Sequence, residues 1–336
     1  MKKYLITGGT GFLGRAVIAY LLTQGAEVSA LILKDDPLVS TLPQGVFTVI
    51  GDVCDETSLI PLFENADEDT CVIHCAGIVS VASKPEEKLY KVNVDGTRNI
   101  LRMCSTHRVG KLIYISSVHA IPEKPKGTVI VEPQIISPEL VEGHYAKSKA
   151  MASSLVMDAV QRGLNACIVF PSGIIGPEDL AKGSITHMLL SFVAGKLPLA
   201  VKGGYDFVDV RDVAEGIVAC AERGKPGQGY ILSGHYATVR DILAVVKENF
   251  NLKQSVNCLP IFFAKLIAPA YERFSLRKKK PLYFTPYSIA VLDSNGLFSH
   301  QAATQALGYT PRPLQTTLRD TATWLQRQYN IYIKKE

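Results

Sequence analysis

Residues 4–14 read Tyr-Leu-Ile-Thr-Gly-Gly-Thr-Gly-Phe-Leu-Gly, and their order decides the architecture. Tyr4 to Thr7 is a short apolar run of strand type. Arg15 to Gln24 has a helical pattern, with Val17, Ile18, Leu21 and Leu22 on one face and Gly25 as its stop. Gly8, Gly11 and Gly14 stand between them. A strand that turns at once into a helix needs residues without a Cβ, and the free N–H groups of the helix start attract an anion. The spacing is G-x-x-G-x-x-G rather than the commoner G-x-G-x-x-G, yet its strand–helix context points to a dinucleotide pyrophosphate. No Lys-Ser/Thr pair follows Gly14, which excludes a nucleoside-triphosphate P-loop.

Working outward, apolar runs recur at Val28–Leu33, Val46–Ile50, Cys71–Ile73, Leu112–Ile115 and Cys167–Phe170, with a seventh at Gly229–Leu232. Helical patterns fill the gaps, notably Glu86 to Thr106 and Tyr145 to Arg162. Continuous apolar strands alternating with helices predict an α/β fold, a doubly wound parallel sheet of Rossmann type. A smaller, mostly C-terminal substrate portion follows. The expected division is 1–170 plus about 207–233 for the dinucleotide-binding domain, and 171–206 with 234–336 for the substrate portion. Thr238 is the expected N-cap of a helix running to Asn249.

The chain has 336 residues, 47% hydrophobic and 20% charged, which excludes a disordered chain or a coiled coil. A formal charge of +5 gives no reason to expect nucleic acid. Seven cysteines at wide spacing suggest free thiols in a reducing compartment. Cys71, His74 and Cys75 lie on a buried strand whose alternation separates His74 from the cysteines, so no metal is expected. The N-terminus lacks a leader-like apolar stretch and no run of 18 apolar residues occurs, so a cytoplasmic protein without a membrane span is expected.

Two features carry chemistry. Tyr145 and Lys149, in His-Tyr-Ala-Lys-Ser-Lys, share a helix face at i, i+4. A nearby ammonium lowers a phenol pKa, so such a tyrosine can exchange a proton with a carbonyl or alcohol. Ser116 and Ser117 follow the fifth strand, at the sheet edge where ligands bind. For the cofactor, Asp35 or Asp36 would suit the ribose hydroxyls of NAD, whereas Lys34 would suit the 2′-phosphate of NADP. No acid stands at the strand tip itself, which leans the reading toward NADP(H) over NAD(H).

The motifs TGGTGFLG (7–14), GDV (51–53), HCAG (74–77), NVDGT (93–97), YISS (114–117), YAKSK (145–149), PSGIIGP (171–177) and FVDVRDVA (207–214) occur in this order. Together they resemble the extended short-chain dehydrogenase/reductases, the NAD-dependent epimerase/dehydratase family. The resemblance covers nearly the whole chain. GGYDFVDVRDVA, YSIAVLDSNGLFS and LGYTPRP bring it nearest to the dihydroflavonol-reductase-like and 3β-hydroxysteroid-dehydrogenase-like branch. It implies a pyrophosphate cradle of Gly8, Thr10, Gly11 and Gly14 with the backbone of Phe12 and Leu13. It further implies adenine contacts at Asp52 and Val53, and backbone contacts at Ala76 and Gly77. The nicotinamide would be lined by Pro171 and Ile174. Ser117 is the implied catalytic serine with Ser116 as fallback, Tyr145 the acid/base, and Lys149 the ribose holder. Asn93 is implied as a relay or fold-supporting residue.

The chain departs from two patterns. Tyr205-Asp206 stands where nucleotide-sugar epimerases carry an arginine, and Leu33 stands where plant reductases carry one. The reading is an NAD(P)(H)-dependent ketone or aldehyde reductase, or alcohol dehydrogenase, on a fairly apolar small molecule. The alternatives are a nucleotide-sugar epimerase/dehydratase and a non-catalytic dinucleotide-sensing regulator. A homodimer through a helical interface is the family expectation for assembly. Ile185, Met188, Leu189, Phe192, Pro260, Phe262 and Phe263 are candidates for an apolar pocket or a second core, and His119 and His144 flank catalytic positions. The apolar stretch Leu259–Tyr271 and basic run Arg277–Lys280 are expected to be a packed helix and a solvated loop rather than a membrane contact.

Overall fold

The computed structural model describes residues 3–197, 200–253, 256–278 and 282–330. Its strands are β1 (Lys3–Thr7), β2 (Glu27–Ile32), β3 (Phe47–Ile50), β4 (Thr70–His74), β5 (Lys111–Ile115), β6 (Ala166–Pro171), β7 (Gly173–Ile175), β8 (Ala200–Val201), β9 (Gly204–Asp209), β10 (Gly229–Leu232), β11 (His235–Thr238) and β12 (Cys258–Leu259). Its α-helices are α1 (Phe12–Thr23), α2 (Glu56–Phe63), α3 (Glu87–Tyr90), α4 (Thr97–Thr106), α5 (His144–Gln161), α6 (Ser184–Val193), α7 (Val210–Arg223), α8 (Val239–Asn249), α9 (Ile261–Arg277), α10 (Pro286–Asp293), α11 (Gln301–Leu307) and α12 (Leu314–Gln328).

Seven strands form one parallel sheet in the order β10-β6-β5-β4-β1-β2-β3. Chain order reverses beside β1, so the crevice of this doubly wound sheet opens at the end of β1, where the glycines stand. Alternation along each strand feeds two cores. Leu5 of β1 joins Leu31, Val72, Leu112 and Ile168 with helices α2, α4 and α5 on one face. Tyr4 and Ile6 join Val28, Ile73, Ile113 and Val169 with α1, α7 and α11 on the other. The expected strands are all present, within a residue or two at their ends.

A second sheet, β11-β9-β7, and a β12-β8 pair form the smaller region. Strand β9 runs across residue 207 and belongs to this second sheet, whereas β10 returns to the first. Asp209 caps α7 by accepting from the Arg211 N–H at 2.8 Å. Thr238 caps α8 in a reciprocal box with Asp241, as its sequence suggested.

Two expectations change. The single helix expected over Glu86–Thr106 is instead α3, a π-type turn over Lys91–Gly96, and α4. The wider turn presents the Asn93 side chain to the backbone of the loop after β4. The apolar stretch after Leu259 is a helix, but the residues it buries are the small or polar Ala264, Ala268, Glu272 and Ser275. Pro260, Phe262 and Phe263, candidates for the pocket or core, stay exposed instead. Leu189 and Phe192 do enter the core, with Ile185 and Met188 against it. Lys279 and Lys280 of the basic run lie outside the described residues.

Candidate active site

The glycine loop is built by close packing. Gly8 has φ +70, and a Cβ there would sit 2.6 Å from the Ala76 nitrogen. A Cβ on Gly14 would overlap the Gly8 carbonyl. A Cβ on Gly11 would approach only the Gly8 carbonyl, at 3.2 Å. Gly8 and Gly14 are therefore glycines so that the turn can close. Gly11 opens α1 with no side-chain cap and no acid in the first turn, which leaves the start of Phe12–Leu13 suited to a pyrophosphate. The Thr7 hydroxyl accepts from the Ala76 N–H at 3.2 Å and meets His74 Nδ1 at 2.6 Å, locking β1 to β4. His74 spans Thr7 and Thr97, and burial holds it down to about 3, so it is neutral. Cys71 and Cys75 pack into the opposite core, and the described residues hold no group of three metal-binding side chains.

Asp36, after β2, accepts from the Thr10 hydroxyl at 2.6 Å and from the Leu38 N–H at 2.9 Å. Lys34 is exposed beside it, and Asp35 takes a left-handed φ of +61. Arg15, which no motif singled out, lies nearly buried against Thr41 and 3.6 Å from Glu178, with no partner for its Nε. Val53 is buried, and its carbonyl accepts from Asn99 at 2.9 Å. Asp52 is exposed and caps the Cys54 N–H at 2.9 Å.

The catalytic candidates converge at the carboxyl end of β5. Successive residues leaving a strand face opposite sides, and this separates the two serines. Ser116 turns inward, its hydroxyl 2.7 Å from that of Ser153 in α5. Ser117 caps the following turn, 3.3 Å from the His119 N–H, on the side of Tyr145. Gly143, at φ +89, lets α5 begin directly under the ring of Tyr287. One helical turn later the buried Lys149 donates to the Ile115 carbonyl at 2.6 Å and lies 5.0 Å from the Tyr114 ring.

Burial pushes Tyr145 up to about 12, with Ser117 pulling it partway back, and burial draws Lys149 down to about 8. The protein alone thus does not give Tyr145 the lowered pKa expected from its spacing to Lys149. Desolvation sets the direction, and the Lys149 ammonium is turned to the Ile115 carbonyl. Asn93 Oδ1 accepts from the Ile78 N–H at 2.7 Å. Its Nδ2 donates to the Ile78 carbonyl and to Ser148 Oγ, both at 3.0 Å. Gly77 lies between Asn93 and Lys149: a Cβ there would be 3.3 Å from Asn93 Oδ1 and 3.4 Å from Lys149 Nζ. Pro171 ends β6 and Ile174 lies in β7, paired with Val208.

Around Tyr145 stand three rings that no local signal marked as a group. His119 is 5.8 Å from the Tyr145 ring, stacks on Tyr205 at 5.5 Å and lies 6.1 Å from Tyr287. Its Nε2 faces the Tyr205 hydroxyl and its Nδ1 the Tyr287 hydroxyl, each at 3.4 Å. Burial holds His119 down to about 4 and pushes both phenols up, so this wall is uncharged at neutral pH. Sequence reading flagged His119 but gave no role to Tyr205 or Tyr287, which come from distant elements. His144 pairs instead with Tyr90, at 2.9 Å.

A model of the NAD dependent epimerase/dehydratase family matches residues 4–233. Sterol demethylase protein B of Methylococcus capsulatus is 27% identical over 96% of this chain and 98% of that protein. A putative dihydroflavonol 4-reductase of Synechocystis is 29% identical over 99% of this chain and 96% of that protein. Among solved structures, the crystal structure of gox2253 superposes with a TM-score of 0.85 and 29% identity, covering 99% of this chain and all of that one.

Proposed function

The chain belongs to the NAD dependent epimerase/dehydratase family and is an NAD(P)-dependent enzyme of the extended short-chain dehydrogenase/reductase type; on that premise we propose that it interconverts a ketone or aldehyde and an alcohol on a fairly apolar small molecule. The observation that carries this reading is the uncharged ring wall of His119, Tyr205 and Tyr287 against Tyr145. A sugar-diphosphate substrate calls for cations. Flat aromatic walls with a few hydroxyls suit an apolar carbonyl compound instead. The relatives' names, sterol demethylase protein B and a putative dihydroflavonol 4-reductase, agree with such a substrate class.

When bound, the dinucleotide supplies or accepts the hydride at the substrate carbon. The chain's own residues then have separable tasks. Tyr145 passes a proton to, or takes one from, the substrate oxygen. Ser117 donates a hydrogen bond to that oxygen and orients it. Lys149 exchanges its carbonyl contact for the cofactor's ribose, and its ammonium then favours the phenolate. Asn93 holds the Gly77–Ile78 backbone in line. Thr10, Gly11, Phe12, Leu13 and Ala76 cradle the phosphates. The Asp36 carboxylate held on Thr10 supports ribose hydroxyls, and so NAD(H), more than the exposed Lys34 supports NADP(H).

Thermal titration of cofactor-stripped protein with NADH, NAD⁺, NADPH and NADP⁺ tests the cofactor reading. A larger rise of the midpoint with NAD(H) is expected. Tyr145→Phe is expected to abolish turnover of apolar ketones and keep that thermal rise; retained turnover would sink the proposed chemistry. The second reading is an epimerase/dehydratase, the reaction its family's description names. A purified protein that retains NAD and is stabilised by UDP- or GDP-sugars would favour it.

A further inference from the structure

We propose that α9 is a docking helix that seats the protein on an anionic lipid surface beside its substrate entrance. The helix is inverted relative to an ordinary surface helix. Its inward seam is Ala264, Ala268, Glu272 and Ser275, at i, i+4, i+8 and i+11. Its large apolar side chains point out: Phe262 is 72% exposed, Leu266 71%, Phe263 51% and Ile267 47%. Amphipathic helices of soluble proteins bury such residues. A contiguous apolar face of this kind marks a surface that something outside the folded chain covers.

Charge identifies the occupant. Arg273, Arg277 and Lys278 are exposed at the C-terminal end of the same helix. The one acid of the helix, Glu272, is buried and accepts from the Ser83 N–H at 2.8 Å. The outward face therefore carries apolar side chains along its length, Tyr271, Phe274 and Leu276 included, with cations gathered at its C-terminal end and no outward carboxylate. An anionic headgroup layer over acyl chains complements both features. A second copy of this face would cover the apolar side chains but bring no anion to the arginines, since a two-fold contact apposes a surface with itself.

The helix is firmly attached and close to the candidate site. Lys265 donates to Asp293 of α10 at 2.5 Å, and the Tyr271 ring meets Phe284 edge-on at 5.5 Å. Thr285, the cap of α10, donates to the Val81 carbonyl at 2.6 Å. Tyr287 in α10 then reaches His119. Docking through α9 would bring the ring wall near the bilayer, from which an apolar substrate could enter. This delivery rests on the proposed function, whereas the docking does not.

The test is co-sedimentation of the full chain with vesicles of phosphatidylcholine alone or mixed with phosphatidylglycerol, at low and high salt. Binding is expected with the anionic vesicles and is expected to weaken with salt. Arg273→Glu with Arg277→Glu should reduce it at least about thirtyfold. Phe262→Ser with Leu266→Ser should reduce it at least about tenfold. Both variants should keep the parent thermal midpoint and dinucleotide binding, because these side chains leave the core. The proposal is overturned by absence of binding to anionic vesicles, or by equal binding of parent and variants. It is also overturned if sedimentation velocity finds a dimer that Phe262→Ser with Leu266→Ser converts to monomer without any vesicle binding by the parent. Vesicle binding needs no turnover, so its failure is distinct from failure of the reductase reading.

Discussion

Replacing Asn93 by alanine separates a structural from a catalytic task at one residue. The side chain makes three hydrogen bonds, to the Ile78 N–H and carbonyl and to Ser148, at 2.7, 3.0 and 3.0 Å. It is buried, so water does not readily replace them. Leaving the partners unpaired costs about 1–3 kcal/mol for a buried polar group, and partial relaxation of the loop brings the total to about 3 kcal/mol. Unfolding entropy of ~2.1 cal/mol/K per residue over 336 residues is ~0.7 kcal/mol/K, so the midpoint should fall by about 4 °C. The Gly77–Ile78 loop adjoins Lys149, so dinucleotide affinity should weaken as well. The assays are calorimetric unfolding and dinucleotide titration of Asn93→Ala, with turnover measured at saturating cofactor. A loss of kcat with an unchanged midpoint and unchanged dinucleotide affinity would refute the reasoning and make Asn93 a proton-relay residue.

Ser117→Ala should lower kcat by roughly two to three orders of magnitude. Ser116→Ala should leave kcat near the parent value while lowering the midpoint, because Ser116 bonds Ser153 in the core; steady-state kinetics on both variants decides. Gly8→Ala should eliminate the thermal rise on adding dinucleotide, since the new methyl meets the Ala76 backbone at a left-handed φ; a preserved rise would contradict the close-packed loop. Acid should destabilise the fold through its neutral histidines. His119 and His74 titrate at about 4 and about 3 when folded, below the unfolded value of 6.5, so the unfolded chain binds more protons as pH falls through 6.5. Stability from them is present above pH 6.5 and is lost toward pH 4 for His119 and pH 3 for His74. Urea midpoints of His74→Asn should fall less steeply with acid than the parent's, and parallel curves would argue against this assignment.

Much of the framework is legible locally. The apolar runs and the glycines at 8, 11 and 14 announce a strand, a tight turn and a helix, because each depends on neighbours a few residues away. The Tyr145–Lys149 spacing puts both on one turn of α5, and Thr238 marks a helix start. Motif order then identified the family before any geometry. Residues 91–96 were less legible, since a π-type turn has nearly the same apolar pattern as an α-helix. Its counterpart in the fold is the bond between Asn93 and a backbone fifteen residues earlier, which no local pattern reveals.

What the sequence determined by itself was thus the sheet, the glycine turn into α1 and the shared helix face of Tyr145 and Lys149, all encoded in short-range periodicity and steric need. Tertiary structure alone shows how the two serines part, Ser116 onto Ser153 and Ser117 toward Tyr145, because that depends on how β5 leaves the sheet against α5. It decided that burial raises Tyr145 rather than Lys149 lowering it, since desolvation depends on everything packed around a group. It assembled His119, Tyr205 and Tyr287 from three distant segments. It also turned the large apolar side chains of α9 outward, because composition says how apolar a helix is, but only the position of its neighbours says which face they cover.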